Sequence, residues 1–98
     1  MATPESFERE MSASVGEWLR LLGGALAGRD WRVEGDGAHI RFDGGGTLVM
    51  GWRVGEPRRI ALLRLPRLHV RFSFSGVPEA AREAFMRHLD LHTHRGGG

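Results

Sequence analysis

There is no cysteine in this chain, and no tyrosine, lysine, asparagine or glutamine. Without thiols there is no disulfide staple, no thiolate zinc site and no cysteine nucleophile, so 98 residues must hold together by packing alone. No run approaches the roughly 18 apolar residues that span a bilayer. The most apolar stretch, Trp18 to Gly28, is interrupted by Arg20 and follows Glu5, Glu8, Glu10 and Glu17, where a secretory leader would be basic. A cytoplasmic protein with no membrane partner is the expectation.

With lysine absent, all fourteen cations are arginine, set against twelve acids. Such usage is expected of a high-GC, bacterial genome. The sequence pI near 10.9 reflects guanidinium groups that do not titrate below about pH 12. The formal charge is only +2, and charge rather than pI sets the long-range field. Its placement is more telling, because residues 58–71 hold five Arg and no acid.

What is present is alternation. Trp31 to Phe74 alternates apolar and polar residues through four turn signals, Asp36-Gly37, Gly44 to Gly46, Gly55 to Arg58 and Pro66-Arg67. Threaded as successive hairpins, these turns set Val33 opposite Ile40, Ile40 opposite Met50, Trp52 opposite Ala61, and Leu63 opposite Val70. Every hairpin then keeps its large apolar residues on one face. Before this segment, Thr3-Pro4 reads as a helix start, and Phe7, Met11, Val15, Trp18, Leu22 and Leu26 recur at helical spacing. After it, Pro78 opens a second helix carrying Ala81, Phe85, Leu89 and His92 on one face.

The predicted fold is one α+β domain over residues 1–94, a two-layer sandwich of order α-β-β-β-β-β-α. Both terminal helices cover one face of a five-strand antiparallel meander. Residues 95–98 read as a flexible Gly-rich tail.

The same threading turns Val49, Gly51, Ile60 and Leu62 to the outer sheet face among Arg53, Arg64 and Arg71. An apolar centre with an arginine rim is the composition of a protein interface. The expected function is therefore a non-catalytic interaction domain that pairs with itself or with another protein through Val49, Arg53, Ile60, Leu62, Arg64 and Arg71. The alternative is weak nucleic-acid or anion binding along Arg58 to Arg71, with Arg58, Arg59 and Arg67 as the gripping groups. Outward aromatics that would stack on bases are missing from this arrangement.

His88, His92 and His94 form the only cluster with metal-ligand spacing. Two helical imidazoles and a third beyond the helix fall short of a ligand set, so no metal site is expected. Gly44 to Gly46 lacks the Gly-Lys-Ser/Thr of a phosphate loop. Ser73 and Ser75 lack the setting of a nucleophile elbow. Neither an enzyme nor a cofactor is implied.

Overall fold

The computed structural model describes residues 2–93, so the Gly-rich tail and His94 lie outside the described residues. In chain order the elements are β1 (Ser6–Met11), α1 (Val15–Ala25), β2 (Asp30–Glu34), β3 (Gly37–Arg41), β4 (Thr47–Val54), β5 (Arg58–Ile60), β6 (Leu63–Leu65), β7 (Leu68–Ser75) and α2 (Glu79–Thr93). The expected class is what forms: an α+β sandwich in which two helices cover one face of a five-stranded antiparallel sheet. Its membership differs from the expected meander. The order across the sheet is β1-β7-β4-β3-β2, and β5 pairs only with β6.

The first correction concerns residues 3–11. Phe7 and Met11 are four apart, a spacing that serves one stripe of a helix and equally one face of a strand. The segment is β1, pairing antiparallel with β7 so that Phe7 faces Phe72 and Met11 faces Leu68. Phe7 stacks on Phe72 with ring centroids 4.9 Å apart, and Arg9 on the same face pairs with Asp90 of α2. The helix begins only after Ser14, whose hydroxyl accepts from the Glu17 amide while the Glu17 carboxylate accepts from the Ser14 amide. This reciprocal cap satisfies two orphan donors at once.

The second correction is one of register. The β2–β3 turn centres on Gly35-Asp36, so Trp31 faces Ile40 and Val33 faces Ala38. Gly35 supplies the positive φ of 58°. Gly37 is needed for another purpose, because a Cβ there would sit 2.5 Å from the Met50 carbonyl oxygen. At the β3–β4 loop Ile40 likewise faces Leu48 rather than Met50. Both slips are by two residues, which leaves every side chain on its expected face.

The third correction shapes the molecule. β4 does not pair with residues 58–65; it runs directly against β7, with Trp52 opposite Val70 and Val54 opposite Leu68. The Gly55 amide then donates to the Arg67 carbonyl at 2.9 Å, and beyond this neck the chain leaves the sheet as a separate ribbon. Pro57 and Pro66 bracket the ribbon, and neither can donate to a ladder. The ribbon is out of step with the sheet by one residue, since it pairs Arg58 with Leu65 while the sheet pairs Val54 with Leu68.

One core fills the space between layers. Ala38, Ile40, Leu48, Met50, Trp52, Leu68, Val70, Phe72 and Phe74 from the sheet meet Trp18, Leu22 and Leu26 with Phe85, Met86 and Leu89. Trp18 stands edge-on to Trp52 at 6.3 Å. His92, expected near the middle of the apolar stripe of α2, is exposed instead; the buried face runs through Phe85, Met86, Leu89 and Thr93.

Candidate interaction surface

Two surfaces are left over once the core is formed: the outer face of the sheet and the β5–β6 ribbon. The outer face is built by residues that alternate with the core. By register, Glu8 stands opposite Arg71, Glu10 opposite His69, and Asp30 opposite Arg41. Arg71 approaches Glu8 at 3.5 Å, His69 approaches Glu10 at 3.9 Å, and Arg41 approaches Asp30 at 3.9 Å. Glu34 receives His39 at 3.7 Å and Arg32 at 3.9 Å. Arg67, at the neck of the ribbon, also binds Glu10.

That hydrogen bond from Arg67 is the main cause holding the Glu10 carboxyl below the usual glutamate range; the charges of Arg67, His69 and Arg58 add to it, and desolvation opposes it. Individually such exposed pairs contribute little. Together they leave few uncompensated charges on this face. Its middle is bare, with Gly51 facing Gly37 and Val49 facing His39 and Ser73 on its two sides.

The expected apolar island is therefore divided. Val49, Arg53 and Arg71 do lie on the outer face of the sheet, but Ile60, Leu62 and Arg64 belong to the ribbon, and no ladder joins β4 to them. Of the residues expected to grip anions, Arg58 and Arg59 are on the ribbon and Arg67 is occupied by Glu10. The acids that neutralise the sheet, Glu8 and Glu10, come from β1, which the helical reading had placed elsewhere.

The ribbon has two unlike faces. Arg58, Ile60, Leu63 and Leu65 share one, while Arg59 and Arg64 stand directly opposite each other on the second. Ala61 and Leu62 close the turn. Ile60 is 48% exposed, Leu63 63% and Leu62 fully exposed, so Ile60 to Leu63 is an uninterrupted apolar run in water. Ala61 holds φ at 54°, a conformation that is disfavoured for any residue with a Cβ, at a cost of about 1 kcal/mol. The chain uses glycine at Gly28, Gly35, Gly45, Gly46 and Gly76 for the same need, yet keeps a methyl group at this tip. Among the described residues, Arg58, Arg59 and Arg64 form no ion pair.

Of the three clustered histidines, His88 and His92 fall within the described residues. The His88 and His92 rings lie 4.3 Å apart. His88 Nε2 donates to the Ala25 carbonyl at 2.7 Å, and His92 Nδ1 donates to the His88 carbonyl at 3.0 Å, since a carbonyl oxygen can only accept. Each contact engages one nitrogen of its ring. No group of three or more His, Cys, Asp or Glu residues placed to hold a metal occurs among the described residues. No helix among them is long and apolar enough to cross a membrane. Compared with protein-family models and with curated proteins, the sequence matches none.

Proposed function

We propose that this chain is a non-catalytic interaction domain that associates with a second copy of itself through the tip of the β5–β6 ribbon. The observation that carries this reading is the run Ile60-Ala61-Leu62-Leu63, exposed on a ribbon that no other strand supports. A run of four apolar residues in water is a liability unless something covers it, and a two-stranded ribbon alone is only marginally stable. Strain kept at Ala61 in place of a freely turning glycine points the same way.

A second copy is the occupant that fits best. Every copy carries the same tip, and twofold association lets one patch serve both partners. Arg59 and Arg64 lie on the reverse of the aliphatic face, so two such faces can meet without opposing those like charges. The patch is a few side chains wide, well below the roughly 800 Å² per partner of a standard interface. Association should accordingly be weak and reversible. Arginine as the sole long-chain cation supports a bacterial origin.

Sedimentation equilibrium from roughly 10 µM to 1 mM, a range that covers dissociation constants typical of weak complexes, tests the reading. The expected result is concentration-dependent mass for the wild type and a monomer for Leu62→Gln, with unchanged circular dichroism. A wild type that stays monomeric across the whole range overturns it.

A further inference from the structure

Arginine on a polar surface means little in a chain with no other long cation, but the molecule supplies its own control. On the sheet, Arg9, Arg32, Arg41 and Arg71 each lie beside a carboxylate, and among the described residues Arg53, opposite His69, does not. On the ribbon, Arg58, Arg59 and Arg64 have none among the described residues. Arg59 and Arg64 moreover face each other directly across a two-stranded ladder, where like charges are destabilising. The ribbon bears this repulsion without an internal anion to relieve it.

We propose that Arg59 and Arg64 form a clamp for the phosphate backbone of double-stranded nucleic acid. Paired strands lie about 4.8 Å apart, so two long guanidinium side chains from opposite strands can reach either side of one phosphodiester. Each can offer its donor fork to the non-bridging oxygens. The ribbon carries no polar side chain other than its arginines, and with the Arg59 and Arg64 forks on phosphate oxygens the recognition is of charge and spacing.

An anionic bilayer fits less well. A ribbon lying with Ile60, Leu63 and Leu65 toward lipid holds Arg59 and Arg64 on the side away from the headgroups. The clamp uses the face opposite the one assigned to self-association, so it stands or falls separately from that reading.

Fluorescence anisotropy with a mixed-sequence DNA duplex of about 20 base pairs tests the clamp. With two phosphate contacts, affinity should fall about 12-fold between about 50 and 200 mM salt; Arg59→Ala/Arg64→Ala should weaken binding and nearly abolish that fall. Arg32→Ala/Arg41→Ala, which removes two arginines already beside acids, should keep the wild-type salt dependence. Leu62→Gln should bind as the wild type does, monomer for monomer. A matching thermal melt for the ribbon variant excludes unfolding as the cause of lost affinity. The clamp is overturned by absence of duplex binding at low salt, by an equal loss in the sheet control, or by binding to phosphatidylserine vesicles without binding to the duplex.

Discussion

The outer face of the sheet and the β5–β6 ribbon use the same residue types under opposite rules. Across the sheet, Glu8 faces Arg71, Glu10 faces His69 and Asp30 faces Arg41, while Leu68, Val70, Phe72 and Phe74 of β7 are buried beneath the helices. On the ribbon, arginine faces arginine and leucine faces water. The sheet pairs most of its charge internally; the ribbon leaves both its arginines and its aliphatic side chains without partners among the described residues. A chain that places Glu8 opposite Arg71 and Asp30 opposite Arg41 leaves Arg59 and Arg64 opposite each other, which makes the omission informative.

The contrast is most sharply broken by truncation. Phe72→Ala, at a fully buried site on β7, should cost roughly 3–5 kcal/mol, whereas Leu62→Ala should stay within about 0.5 kcal/mol of the wild type. Urea titration of both variants measures this, and a comparable loss at Leu62 would mean the ribbon is part of the core. Charge reversal should give effects of opposite sign in the two regions. Glu8→Arg places a second cation opposite Arg71 and should destabilise by roughly 0.2–0.5 kcal/mol at this exposed position. Arg59→Glu creates an opposite-charge pair with Arg64 and should strengthen the ribbon by a similar few tenths, read as slower amide exchange over residues 58–65.

The smallest expected effect lies where the regions join. Glu10 is held below the ordinary glutamate range chiefly by the hydrogen bond from Arg67. Because its folded-state pKa is depressed, this interaction contributes at pH above the unfolded value and disappears as pH falls through the folded one. Carboxyl titration by NMR should place the Glu10 midpoint below that of an ordinary glutamate, and Arg67→Ala should move it upward.

Much of the sheet was legible from the sequence because side-chain alternation survives a register slip of two residues. Both of the first two hairpins slipped by that amount, and Ile40, Leu48, Met50 and Trp52 still face the core. The N-terminal strand was not legible from spacing, since Phe7 and Met11 satisfy both periods; the missed signal was Ser14-Val15-Gly16-Glu17, a capping box that marks where the helix starts. The ribbon failed for a different reason. Short aliphatic runs around Ile60 and Leu63 can extend a sheet or stand alone, and no local rule chooses between two ladders. Pro57 and Pro66, on either side of the run, were the punctuation that separates it. With residues 58–65 detached and β1 added, the candidate docking residues kept their exposure but changed their neighbours.

The pairing of β1 with β7 also sets a timetable. Ser6 finds its partner in Ser73 and Met11 finds Leu68, so this hexapeptide is an orphan until a strand more than fifty residues further along the chain has been made. Such distant partnerships are slow to close. During the wait, the ambiguous spacing of Phe7 and Met11 leaves a helical detour open to this segment.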